Sequence, residues 1–251
     1  MRIIFVHHSC FVVEVDDKVL IFDWFQGDRV PGYTFRGVLP AYEKETPIYV
    51  FASHKHQDHF TMDVLHLEEQ YRNIHFILSK DCKMSPNFLK KHGFSSGIGD
   101  KILYVGSNAT YHVEDLTIET FRSTDVGVAF YVETGGASFY HAGDLNNWKW
   151  DGVGELINGQ MELAYKSQIR KLTGRRINIA FVPMDPRQKD YQTLGIDYFL
   201  RHTDAEYVFP MHMWQDYSQI PIYRKSISNA AMAERIVEIT HENQVFEIQE
   251  R

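Results

Sequence analysis

Residues 48–52 read Ile-Tyr-Val-Phe-Ala, an unbroken apolar run, and the next seven are Ser53-His54-Lys55-His56-Gln57-Asp58-His59. The run has the length and β-branched, aromatic character of a buried strand, so a core strand must end in a loop carrying three imidazoles and a carboxylate within six residues. Side chains of those types at that spacing have no simpler packing rationale than a shared ion. Imidazole nitrogen and carboxylate oxygen suit a borderline divalent metal, Zn first and Mn or Fe next. The lack of a neighbouring thiolate points to an open, catalytic type of site rather than a closed structural zinc. In an extended stretch His54 and His56 project to the same side and share one ion, while Asp58 and His59, at the turn out of the stretch, reach a second.

Bulk properties narrow what such a site serves. A chain of 251 residues buries a core without metal staples, so size does not explain the cluster. The net charge of −7 opposes binding nucleic acid through its phosphates. Cys10 and Cys82 form neither a C-x-x-C pair nor a framework, which reads as reduced thiols in the cytoplasm. The start, Met1-Arg2-Ile3-Ile4-Phe5-Val6-His7-His8, is too short an apolar run for a signal segment, and no stretch has the length of a membrane span.

Further strands are expected over residues 2–6, 11–15, 18–22, 75–78, 116–121, 128–133, 138–141, 178–182 and 207–209, with turns at Asp16-Asp17 and Gly135-Gly136. Thr61 is expected to cap a helix with Val64, Leu67 and Tyr71 on its apolar face. Ser85-Pro86 starts a short helix that Gly93 stops. Met161, Tyr165, Ile169 and Leu172 form a helical stripe ended by Gly174, and Met232, Ile236 and Ile239 another. With no repeat and no Pro/Ser-rich linker, a single α+β domain over 1–251 is the expectation.

The spacing of the cluster resembles the signature of the metallo-β-lactamase superfamily. The chain looks most like the cytoplasmic branch that includes L-ascorbate phosphate lactonase and the phospholipase D acting on N-acyl-phosphatidylethanolamine. His7-His8-Ser9-Cys10-Phe11, Phe22-Asp23, Tyr140-His141-Ala142-Gly143-Asp144 and Pro210-Met211-His212 are similar to further motifs of that branch. The resemblance implies a four-layer αβ/βα sandwich with the site along one sheet edge, Asp144 bridging two ions and His212 as the last metal histidine. One departure stands out: where the family places another histidine, this chain has Phe121-Arg122-Ser123-Thr124-Asp125-Val126-Gly127, and Asp125 is the natural substitute. Taken alone, a capping aspartate and a hydrogen-bonded buried histidine are the plainer readings of Asp144 and His212, and a turn residue that of Asp125.

His8 is expected at the rim of the site or behind its ligands, His7 equally as an ordinary strand residue, and His141 as either a donor to a metal ligand or a strand-end histidine with a local hydrogen bond. Lys55, Lys80, Arg122, Arg187 and Lys189 can meet an anionic substrate, with solvated surface charge the default for each. Trp24, Trp148, Trp150 and Trp214 wall a pocket or pack the core.

Two functions follow. The first is a hydrolase acting on a small anionic phosphoester or lactone through one or two metal ions, with Asp58 as the residue that orients the nucleophile. The alternative, prompted by the missing histidine, is a metal-binding protein with little catalysis. Di-iron oxygen chemistry is weaker, since that branch commonly has a glutamate where His56 stands. RNA processing lacks the expected basic arm. The expected partner is a small molecule, with self-association into a homo-oligomer left open.

Overall fold

In the computed structural model, which describes residues 1–249, the apolar runs become the strands of two mixed sheets. Two compact units are present, Met1–Gly106 together with the segment from Glu242, and Ser107–His241. The first unit contains β1 (Arg2–His7), β2 (Cys10–Val15), β3 (Lys18–Phe22), β4 (Ile48–Ala52), β5 (Ile74–Ser79), helix α1 (Pro86–Lys91) and β6 (Ile102–Val105). The second contains β7 (Thr110–Val113), β8 (Leu116–Arg122), β9 (Val128–Thr134), β10 (Ala137–His141), α2 (Glu155–Ile169), β11 (Ile179–Pro183), α3 (Leu194–His202), β12 (Tyr207–Met211), α4 (Gln219–Ser226) and α5 (Ala230–Glu234). The chain then returns to the first unit as β13 (Gln244–Glu247).

The first sheet runs β13-β1-β2-β3-β4-β5-β6, antiparallel from β13 to β3 and parallel from β3 to β6. The second runs β12-β11-β10-β9-β8-β7, parallel from β12 to β10 and antiparallel beyond. This order decides where chemistry can sit. β1, β3 and β4 point the same way, so their carboxyl ends share one edge of the first sheet; β10, β11 and β12 do the same in the second. Carboxyl ends of parallel strands are where α/β sheets present ligand-binding loops.

The interior of the first unit explains why these strands are apolar without alternation. On one face Ile4, Val6, Val12, Ile21, Val50 and Phe76 form a continuous core. On the other, Phe5 meets Phe11 at 5.2 Å and Phe22 stacks on Phe51 at 4.7 Å. In the second unit Phe139, Phe181, Phe199 and Phe209 are wholly buried, and Tyr140 stacks on Phe199 at 5.3 Å.

Several local readings hold and two change. Ser85 caps α1 by accepting from the Phe88 N–H, and Gly93 leaves it at φ 88°. The stripe of Tyr165, Ile169 and Leu172 is buried along α2 and the 3-10 turn that continues it, with Gly174 at φ 73°. The segment after Thr61, however, is a 3-10 run, Met62–Glu69, and Thr61 does not cap it. Its hydroxyl instead accepts from the Gln26 N–H at 3.0 Å, tying that turn to the loop after β3. The late helix stops at Glu234, because the backbone of Arg235 and Val237 bonds to Val208 along the edge of β12. Among the described residues, no helix is long and apolar enough to cross a membrane.

Candidate metal centre

In the first unit the donors lie just past the ends of β1, β3 and β4. Asp23, wholly buried and at φ 47°, follows β3 and accepts three hydrogen bonds. Its Oδ1 takes the Ser53 N–H at 2.7 Å, and its Oδ2 takes the Ser53 hydroxyl at 2.6 Å and His59 Nδ1 at 2.7 Å. A carboxylate only accepts, so these partners must donate. Ser53 thus points its one hydrogen at Asp23, and its oxygen accepts from His54 Nδ1 at 2.9 Å.

Two tautomers follow. With their Nδ1 protons committed, His54 and His59 keep the lone pair on Nε2, the form a metal requires. His54 Nε2 faces His56 Nδ1 at 3.0 Å, two ring nitrogens converging on one point. Beside them, His8 Nε2 stands 3.4 Å from Asp58 Oδ2, and His59 Nε2 4.0 Å from the same oxygen. The donor atoms of His8, Asp58 and His59 all lie within 4.8 Å of one another.

The second unit repeats the device. Gly143, at φ 51°, turns the chain out of β10, its N–H donating to His141 Nδ1 at 3.1 Å, and the turn presents Asp144. Asp144 Oδ1 lies 3.5 Å from His212 Nε2, and a donor oxygen of Asp125 lies within 4.8 Å of one on Asp144. Thr124 holds the two aspartate loops together: its hydroxyl donates to the Asn146 carbonyl at 2.6 Å and accepts from the Asn146 N–H at 3.0 Å. His212 leaves β12 at φ 64° and donates from Nδ1 to Asp185 Oδ2 at 2.9 Å.

Asp185, after β11, is wholly buried and also accepts from Trp214 Nε1 at 3.1 Å and from the Arg187 guanidinium. Burial pushes its carboxyl up, but the hydrogen bonds from His212 and Arg187 outweigh that and hold it far below the usual carboxylate range. Trp148 and Trp214 stand edge-on to His212 at 5.6 and 5.4 Å. His8, Asp23 and His212, all non-glycine residues, adopt left-handed backbone, a strain of about 1–3 kcal/mol each that the surrounding structure must sustain.

The donor chemistry fits a divalent ion. In each unit a buried carboxylate fixes a histidine by its Nδ1 proton, the arrangement that orients metal-binding imidazoles. The structure brings His54, His56, Asp58 and His59 together in the first unit and Asp125, Asp144 and His212 in the second. His56 and Asp125 are exposed, the others buried or half-buried.

His8, expected at the rim, is inside the cluster. Asp185 was missed altogether; its one signal in the sequence is an aspartate directly after the apolar run Ala180-Phe181-Val182-Pro183-Met184. His141 makes a local hydrogen bond to the turn. His7 packs on Phe25 at 4.4 Å, and burial lowers its imidazole from 6.5 to about 4. Trp24 lines a separate cavity of about 390 Å³ with Leu39, Val64 and Tyr71. Of the five cations singled out, Arg187 alone has a hydrogen bond to a residue that holds a site histidine, among the described residues.

A family model described as a β-lactamase superfamily domain matches residues 2–151. No curated protein sequence matches the chain. Among solved structures, the fold is similar to a metallo hydrolase from the archaeon Ignicoccus hospitalis (TM-score 0.62, 17% identity, 99% of each chain covered). It is also similar to an isothiocyanate hydrolase from Delia radicum gut bacteria (TM-score 0.57, 11% identity, 99% of each chain). The metallo-β-lactamase fold protein YhfI from Bacillus subtilis is a third (TM-score 0.56, 12% identity, 98% of this chain and 99% of the other).

Proposed function

The chain belongs to the metallo-β-lactamase superfamily, and from that premise we propose that it is a metal-dependent hydrolase acting on a small anionic phosphoester or lactone. The observation that carries this reading is the pair of carboxylate-held histidines, His59 on Asp23 and His212 on Asp185, each donating from Nδ1 and so keeping its lone pair on Nε2. The ligand set is His54, His56, Asp58, His59, Asp125, Asp144 and His212, to which His8 is added. The donors suit zinc, with manganese or iron as the harder choices, and seven or eight of them suffice for two ions. Bound ions would supply a hydroxide at neutral pH and offset the negative charge that develops on the substrate.

The residues of the chain do the rest. Asp58, whose side chain keeps 18% of its exposure, accepts a hydrogen bond from the attacking water and orients it. Asp23 and Asp185 hold His59 and His212 in one tautomer through the cycle. The phosphoester or lactone class comes from the finer likeness to the branch of L-ascorbate phosphate lactonase and N-acyl-phosphatidylethanolamine phospholipase D. Two buried, unbridged cysteines support a reducing, cytoplasmic setting.

One observation favours a second reading. Asp125, standing where the family has a histidine, is exposed, and a carboxylate open to solvent holds zinc less firmly than a buried imidazole. A single-ion protein with little turnover is the consequence. Elemental analysis for Zn, Mn and Fe decides: about two ions per chain is expected, and one or none would favour the second reading. Asp58→Asn that still folds and binds metal should lose turnover; full activity in that variant would sink the mechanism.

A further inference from the structure

We infer that Arg187 is a specificity-determining residue that binds the non-reacting anionic group of the substrate, a carboxylate or phosphate carried away from the bond that breaks. The inference rests on the hydrolase reading and extends it to substrate class.

The guanidinium is fixed on two sides. Its Nε and Nη2 pair with both oxygens of Asp185 at 2.6–3.0 Å, and its plane lies over the Trp214 ring at 4.1 Å. The Arg187 N–H also donates to Asp185 Oδ1 at 2.8 Å, closing a tight turn at the start of the 3-10 run Pro186–Tyr191. An arginine held this way loses little side-chain freedom on meeting a ligand.

Asp185 takes only the edge formed by Nε and Nη2. The other forked edge, Nη1 with the second proton of Nη2, has no protein acceptor among the described residues, and the side chain keeps 46% of its exposure. That edge has the spacing of two oxygens on a carboxylate or phosphate. The buried carboxylate behind the guanidinium also fixes His212, so anchor and proposed metal ligand share one rigid support. Trp214, which carries the guanidinium on its ring, also stands edge-on to His212 at 5.4 Å, so one apolar surface touches both the cation and the proposed ligand. A lysine would lack both the fork and the stacking.

The test compares mono-4-nitrophenyl adipate, whose acyl chain ends in a carboxylate, with its terminal-amide analogue, using the metal-loaded full chain. Preference for the acid is expected at about tenfold in kcat/KM and carried in KM, the lower end for a half-exposed charged hydrogen bond. Arg187→Gln should bring that preference within about twofold, and Arg187→Lys should recover only part of it. Replacing the carboxylate by a phosphonate tells which oxyanion the fork prefers.

Metal content and thermal midpoint are measured on each variant, because loss of Arg187 can also act through Asp185. A variant that loses metal and slows equally on both esters would make Arg187 a support for His212 only and overturn the proposal, as would an unchanged preference. Adipate quenching of tryptophan fluorescence, saturable in the native chain and absent in Arg187→Gln, reads the anion site without turnover. That quench in a metal-loaded protein that hydrolyses neither ester, nor a lactone or phosphoester, would sink the hydrolase reading and leave the anion site standing.

Discussion

Replacing Asp23 by asparagine preserves side-chain volume and one oxygen, and so isolates what the second oxygen does. In the native site Oδ2 accepts from the Ser53 hydroxyl at 2.6 Å and from His59 Nδ1 at 2.7 Å, while Oδ1 accepts from the Ser53 N–H at 2.7 Å. An amide in the same place sets an NH2 against His59 Nδ1–H; flipped, it sets that NH2 against the Ser53 N–H. In the unflipped case two outcomes remain. His59 keeps its proton and two N–H groups oppose each other in a wholly buried site, at a cost of about 1–3 kcal/mol. Otherwise His59 moves the proton to Nε2 and gives up the lone pair that ligates. Metal binding must then reverse the tautomer, and affinity should fall about 10–100-fold, the usual effect of removing such a partner. At about 1.4 kcal/mol per decade the two outcomes are of similar size; the first lowers the stability of the metal-free protein and the second lowers its metal affinity. The assay is competition for zinc against a chromophoric chelator, beside chemical denaturation of the metal-free protein. An affinity within threefold of native together with unchanged stability of the metal-free protein would refute the orienting argument.

Other consequences can be checked more simply. The His7 imidazole titrates near 4 in the folded chain and near 6.5 when unfolded, so the unfolded state takes up the extra proton between those values. Stability of the metal-free protein should therefore be fully present above pH 6.5 and fall by up to about 3 kcal/mol on acidification to pH 4; a His7→Gln variant with the same pH slope would refute the assignment. Gly37→Ala drives a Cβ into the Val6 carbonyl, which is backbone and cannot swing aside, and into the His7 imidazole. A loss of about 1–3 kcal/mol in urea denaturation is expected, and a change below about 0.5 kcal/mol would show that the chain at Gly37 yields freely.

The features legible in the chain alone are local ones. The apolar runs of β1, β3, β4 and β5 are read from five or six consecutive residues. The cluster from His54 to His59 is legible because its donors lie within one loop. Asp125, Asp144 and His212 came from likeness of motifs rather than from any local rule. How those histidines are held depends on contacts between loops far apart in the chain. Asp23 meets His59 across 36 residues of sequence and Asp185 meets His212 across 27, and no periodicity or spacing encodes such pairs. They arise because parallel strands of each sheet end at one edge, which brings the loops after β3 and β4, and after β11 and β12, side by side. The late helix failed for the same reason: around Arg235 and Val237 the open backbone of β12 offered hydrogen bonds that outweighed the helical spacing of Met232, Ile236 and Ile239. A side chain's type is written in the sequence, but its tautomer, strain and reach are set by neighbours that only the fold supplies.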